Sequence, residues 1–406
     1  MFEDAFYIRQ MWSFSRALDL GLIDEEIERG LDVTLGERHG ERVAYIAMRL
    51  GRSLGLNKQE LVHLTISGLL HDIGAFGYFG EYNGSRHVLE RHCLSGALIV
   101  ERFPSGKTLA NAIKYHHETP DPMYGALGVP SEEVTLMARI LSLADQVDLM
   151  LKRKLSTRQQ REEIIEWIND QTGTLFFPEV AQAFRQVAKK EAFWLDLEQP
   201  DLLQIALGLL FDHWQLPGTR ELEISFTYRL AETFADLIDQ KSKFTARHSR
   251  SVAATVERLA KGVGWEEIQL HEIYVAGLLH DLGKLSIPRK ILDKPGSLDP
   301  AEVDIIRTHT YYTHRLLTEA GLPTRIVEWA AHHHERLDGR GYPFALGEKD
   351  LDEGARLMAI ADIFTALTED RPYRPAMSSG EALAIIERGM GTILDPGLIK
   401  VAKRVL

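Results

Sequence analysis

Apolar residues recur along most of the chain at intervals of three and four, while alternation of period two is scarce. Val43, Ile46, Ala47, Leu50 and Leu54 make one such stripe, which predicts a helix opened by residues 37–43 and stopped by Gly55. Residues 1–34 read as helical with a break near Gly30. A second apolar run ends in Gly68-Leu-Leu-His71-Asp72-Ile-Gly74. A later helix is predicted to open at Pro130-Ser131 and to carry Val134, Ala138, Leu141 and Asp145 on one face, and residues 182–193 read as another helix. In the second half, Arg247-His248 opens a helix and Ala276-Gly-Leu-Leu-His280-Asp281 ends an apolar run. Leu351, Ala355, Met358 and Asp362 then share a helix face. The whole pattern is that of an all-α protein.

The second half repeats the first. His39 to His71 spans 32 positions, as does His248 to His280; His92 to His116 spans 24, as does His309 to His333; His117 to Asp145 spans 28, as does His334 to Asp362. Gly173-Thr-Leu-Phe-Phe-Pro178 and Gly391-Thr-Ile-Leu-Asp-Pro396 extend the match. The expected organisation is a tandem duplication: a first domain over 1–195, a helical connector over 196–220 closed by Leu216-Pro-Gly218, and a second domain over 221–406 beginning with a long helix at about 221–243.

A chain of 406 residues is long enough for two cores. Its formal net charge of −12 disfavours a nucleic-acid polymer as partner, because phosphate neutralisation needs clustered Lys and Arg. The single cysteine, Cys93, fits a reducing compartment. No signal peptide or membrane-length apolar run is read, so the expected location is the cytoplasm, off the membrane.

The recurring polar residues lie on faces that should be buried. A carboxylate such as Asp362 or Asp145 there, without a partner, costs several kcal/mol. One buried histidine is more often a hydrogen-bonded core residue than a ligand, but a set kept twice at three equal spacings favours metal. Nitrogen and oxygen donors without thiolate suit Fe, Mn, Ni, Co or Zn, with Fe, Mn and Ni foremost. Seven donors in the second copy exceed the needs of one tetrahedral ion and fit two ions sharing Asp281.

His280-Asp281 with His248 upstream and Asp362 downstream resembles the HD superfamily of metal-dependent phosphohydrolases. The segments His333-His-Glu-Arg-Leu-Asp-Gly-Arg-Gly-Tyr-Pro343, His280-Asp-Leu-Gly-Lys284 and Asp362-Ile-Phe-Thr-Ala-Leu-Thr-Glu-Asp-Arg-Pro-Tyr-Arg374 resemble its HD-GYP subgroup over residues 225–406. The resemblance implies an all-helical phosphodiesterase of cyclic dinucleotides. It makes cyclic diguanylate the default substrate, hydrolysed by a hydroxide bridging two metals to the linear dinucleotide or GMP. It implies His248, His280, Asp281, His309, His333, His334 and Asp362 as ligands and Asp281 and Lys284 as catalytic. Lys284, Arg371, Arg374 and Tyr342 are implied at the substrate.

Three departures modify that picture. Phe244 stands where some members carry an acidic residue associated with a third metal, so two ions are expected; Thr365 replaces a frequent aspartate. The first copy keeps His39, His71, Asp72, His92, His116, His117 and Asp145 but has Ala75 at the lysine position, and Asp121-Pro-Met-Tyr-Gly125 in place of the Gly-Tyr-Pro loop. It is expected to bind metal with little turnover, and to serve packing, homodimerisation or regulation. The alternatives are a 3′,3′-cyclic GMP–AMP phosphodiesterase, a generic HD phosphohydrolase, and a catalytically weak metal- or nucleotide-binding scaffold.

Overall fold

The computed structural model describes residues 2–27, 38–75, 86–151, 158–211, 224–241, 247–370 and 375–406. Among these there are helices and no strand; three isolated bridges pair Thr172 with Phe176, Asp338 with Gly347 and Met390 with Leu394. The chain divides into two compact units, Met1–Gly218 and Thr219–Leu406. The helix Leu202–Leu210, expected in the connector, packs on the helices His39–Ser53 and Lys58–Leu70 and so belongs to the first unit. Leu216-Pro-Gly218 and Gly30 lie outside the described residues.

Each unit is built around one helix pair crossing at a glycine. In the second unit, His248–Val263 crosses Glu267–Leu279 so closely that a Cβ on Gly277 would lie 2.6 Å from Ala253 Cα. In the first, a Cβ on Gly68 would lie 2.7 Å from Ala44 Cα. Contact this tight leaves no room for a side chain, which is why both positions are glycine. The faces turned inward are the apolar stripes: Val252, Val256 and Leu259 in one unit, Val43, Ile46 and Leu50 in the other, all fully buried.

Several boundaries differ from expectation. The helix carrying Asp145 starts at Leu136, where Thr135 caps it by accepting from Ala138 N at 3.3 Å; the Pro130-Ser131 signal opens only the short 3-10 turn Ser131–Glu133. Residues 182–193 are not one helix. Pro178–Ala188 stops before Lys190, whose backbone is extended, and Glu191–Leu197 begins anew; Phe193 and Trp194 can then pack edge-on against Phe184. The helix preceding the second copy is described over Ile224–Lys241.

The late repeat has matching backbone. Gly173 and Gly391 take positive φ (88° and 79°) and donate to the carbonyls of Phe176 and Leu394. Pro178 and Pro396 then start the following helices, where a missing N–H costs nothing.

Candidate metal centre

In the second unit, five separate segments deliver the polar residues. His248 is the first residue of His248–Val263, and Asp239 anchors that helix start by accepting from Ser249 N (3.3 Å) and Oγ (2.8 Å). His280 and Asp281 sit where Glu267–Leu279 gives way to the 3-10 turn Leu282–Ser286. His309 lies within Pro300–Glu319, His333 and His334 follow Thr324–Ala331, and Asp362 projects from Glu353–Thr368. A Cβ on Gly283 would be driven into the His309 carbonyl, so the turn bearing Asp281 rests directly on the backbone bearing His309.

These side chains form two groups joined by one carboxylate. Asp281 Oδ2 lies 3.3 Å from His280 Nε2 and 4.0 Å from His248 Nε2, and Asp362 Oδ1 lies 3.2 Å from His248 Nε2. Asp281 Oδ1 lies 3.5 Å from His309 Nε2 and 4.0 Å from His333 Nε2. Donor atoms of His309, His333 and His334 fall within 4.8 Å of one another, as do those of His248, His280 and Asp281. All seven sequence-predicted ligands of this unit are therefore brought together.

The rings are held through Nδ1. His280, His309 and His333 bond there to the carbonyls of Gly277, Ile306 and Ala330, at 2.8, 2.6 and 2.7 Å, which aims each Nε2 inward. Burial, more than Asp281 can offset, lowers His309 to about 3; burial and the charges of His334 and His280 hold His333 well below the usual range. The His309 and His333 rings are thus neutral donors. Burial works against charge on Asp281 too, but His280 and Lys284 outweigh it and keep the carboxylate ionised. Burial also opposes charge on His248, yet Asp362 and Glu369 raise it to about 9.

The fit to a cation rests on what is left unpaired. His280 Nε2 and Asp281 Oδ1 are buried without a hydrogen-bond partner, an arrangement that costs roughly 1–3 kcal/mol per group unless something positive lies between them. Imidazole nitrogens and carboxylate oxygens facing one another across 3–4 Å are the donor set of a divalent transition metal.

Around this centre, Lys284 Nζ lies 2.5 Å from Asp281 Oδ2. The Tyr342 ring lies against His334, tilted by 36° with centroids 4.9 Å apart, and the Arg307 guanidinium lies 5.3 Å from the Tyr342 centroid. The loop carrying Tyr342 is gripped by buried Glu335, which accepts from Phe344 N (2.7 Å) and Leu346 N (3.0 Å). Arg371, Arg374 and Phe244 lie outside the described residues. Sequence reasoning missed Glu335, Arg307 and Glu369; Glu335 alone left a signal, because Glu118 follows the His116-His117 pair in the same way and accepts from Leu127 N at 2.6 Å.

The first unit repeats the geometry. Asp72 Oδ2 lies 3.4 and 3.3 Å from Nε2 of His39 and His71, and its Oδ1 lies 3.4 Å from His92 Nε2. Asp145 Oδ1 is 3.3 Å from His39 Nε2; His92 and His116 meet at 3.2 Å, and the His117 ring lies against His116 at 4.0 Å between centroids. Ala75, buried, occupies the lysine position.

Comparison with known proteins places this geometry in a family. Profiles described as HD domain match residues 37–150 and 232–398. The 3′3′-cGAMP-specific phosphodiesterase 1 of Vibrio cholerae is 32% identical over 362 residues, covering 86% of this chain and 82% of that protein. A cyclic di-GMP phosphodiesterase of Thermotoga maritima is 35% identical over 177 residues, 43% of this chain and 48% of its own. The crystal structure of the V. cholerae cyclic GMP-AMP specific phosphodiesterase V-cGAP3 superposes with a TM-score of 0.69 at 24% identity, over 98% of this chain and 97% of that one, which shows a shared all-helical fold. The class defined by the fold and the site is the HD phosphohydrolases, whose members depend on metal. This chain belongs to that superfamily, as a phosphodiesterase with two HD domains in tandem. No helix among the described residues is long and apolar enough to cross a membrane.

Proposed function

We propose that the second domain hydrolyses a guanine-containing 3′,3′-cyclic dinucleotide, with the GMP–AMP hybrid and cyclic diguanylate as the two candidates. The observation that carries this reading is Asp281, which offers one oxygen to each histidine group with Lys284 beside it. His248, His280 and Asp362 would hold one divalent ion and His309, His333 and His334 a second, with Asp281 shared; Fe, Mn and Ni suit the donors. When bound, the ions supply Lewis acidity and a nucleophile at neutral pH. Lys284 sets a cation beside that centre for a phosphate oxygen. Tyr342 and the nearby Arg307 guanidinium offer an aromatic and a cationic group for a base. Arg371 and Arg374 remain candidates for the ligand's phosphates.

Two observations bear on the choice between the substrates. The relative that matches both domains over most of its length is named for the GMP–AMP hybrid; the one named for cyclic di-GMP matches less than half of this chain. The motif resemblance of the second domain favours cyclic diguanylate. The first domain would bind metal and regulate, because it lacks a lysine at Ala75. The deciding experiment incubates purified protein, loaded with Mn or Fe, with each cyclic dinucleotide and with a generic phosphodiester. Turnover of a cyclic dinucleotide abolished by His280→Ala–Asp281→Ala supports the reading; equal rates in wild type and that variant end it.

A further inference from the structure

We infer that Glu369 is the residue that positions His248, and that it replaces a device the first domain builds from Arg42 and Asp148. The inference rests on the reading that His248 is a metal ligand. It begins with helix geometry. His280, His309 and His333 each bond Nδ1 to the carbonyl three residues earlier, at Gly277, Ile306 and Ala330. His71 and His116 do the same to Gly68 and Ile113, at 2.8 and 2.5 Å. His248 and His39 differ: each is the first residue of its helix, and each bonds Nδ1 to a side-chain carboxylate instead. Their rings need a side-chain acceptor from elsewhere.

The two domains meet that need differently. In the first, His39 Nδ1 lies 2.7 Å from Asp148 Oδ2. Asp148 is fully buried, and Arg42 neutralises it through Nε at 2.5 Å and Nη2 at 2.9 Å. In the second domain both members of that pair are gone. The position matching Arg42 is Ser251, whose hydroxyl donates to the Arg247 carbonyl at 3.0 Å. The position matching Asp148 is Thr365, whose hydroxyl donates to Thr255 at 3.3 Å. His248 Nδ1 instead donates to Glu369 Oε2 at 2.9 Å. Glu369 is the first residue past the helix Glu353–Thr368, with an extended backbone and a side chain 25% exposed. A carboxylate that keeps some water needs no buried guanidinium, so the arginine and the inner aspartate can be lost together. The first domain carries Lys152 at the position matching Glu369, which cannot accept a hydrogen bond.

A carboxylate behind a ligating imidazole fixes its ring and raises its basicity, and removing one typically weakens metal binding about 10–100-fold. The test uses the full chain stripped of metal. Mn affinity is measured by chelator competition, in a His71→Ala–Asp72→Ala background so that the first domain does not contribute. The Mn concentration giving half-maximal hydrolysis is measured in the otherwise wild-type chain. Glu369→Ala is expected to weaken both about 10–100-fold, and Glu369→Gln, which keeps an acceptor without the charge, by less. Adding Ser251→Arg and Thr365→Asp to Glu369→Ala transplants the first domain's device and should return affinity to within about threefold of wild type, since the lost contact is restored. Mn affinity unchanged in both Glu369 variants overturns the inference, as does a loss the transplant leaves unrepaired. If no substrate is turned over, the chelator measurement still reads His248, so failure of the catalytic reading and failure of this one are distinct results.

Discussion

Lys284 Nζ stands 2.5 Å from Oδ2 of Asp281, the oxygen that also faces His280 and His248. The ammonium is therefore held at the edge of the histidine–aspartate cluster by the carboxylate that joins its two groups. Lys284→Ala should lower kcat about 10²–10³-fold, the scale of losing one preorganised electrostatic group. Mn affinity should stay near wild type, because Lys284 is not a donor to the ion. A large loss of Mn binding would move Lys284 from the substrate to the cage.

The unpaired Nε2 of His280 and Oδ1 of Asp281 should make the stripped protein gain stability on metal addition. Saturation at a hundred times Kd corresponds to about 2.7 kcal/mol per site. Thermal melting with and without Mn checks it, and His280→Ala–Asp281→Ala should abolish the second domain's share. An unchanged melting temperature for wild type would count against both cages.

Gly283 allows the turn bearing Asp281 to rest on the His309 carbonyl. Gly283→Ala should destabilise the second domain by about 1–3 kcal/mol, since a Cβ there meets backbone rather than a flexible side chain. Urea unfolding measures this. Wild-type stability together with wild-type activity would show that the contact is looser than described.

Asp239 supplies a pH prediction for the metal-free protein. Burial, opposed by its bonds from Ser249, raises its carboxyl to about 6 from the usual 3.8. A raised carboxyl disfavours the folded state as it ionises. Its penalty is absent below about pH 4, grows between pH 4 and 6, and is complete above. Asp239→Asn, which can still accept from Ser249, should remove that decline and stabilise the stripped protein at pH 7 by about 1–3 kcal/mol. A variant with the wild-type slope between pH 4 and 6 would contradict the assignment.

The Tyr342 ring lies tilted against His334, with the Arg307 guanidinium 5.3 Å from its centroid. Tyr342→Ala should raise KM for a cyclic dinucleotide by the equivalent of about 1–3 kcal/mol, the worth of one base on an aromatic ring. The rate with a phosphodiester lacking bases should change little. Steady-state kinetics on both substrates separates the two effects.

The clustering of these histidines and aspartates could be read from the chain because duplication kept their spacings: two equal counts of 32 place His71 and His280 in matching positions. Helix existence was equally legible from the apolar stripes. What escaped was set by contact rather than by period. The break between Pro178–Ala188 and Glu191–Leu197 depends on how Phe193 and Trp194 pack on Phe184. Thr365 reads from sequence as a missing carboxylate, yet Glu369, one turn on and past the helix end, lies within 2.9 Å of His248. No spacing rule connects a residue at a helix start with one 121 positions later.

Only hydrogen fits between Gly283 and the His309 carbonyl, so the turn of Asp281 and the helix of His309 ride on one main-chain junction. If ions of unlike radius bind there, swivelling imidazoles would have to accommodate them, since parting Asp281 from His309 would tear that junction open. A swap of metals should accordingly register first in ring orientation, with the interval across the shared aspartate nearly constant.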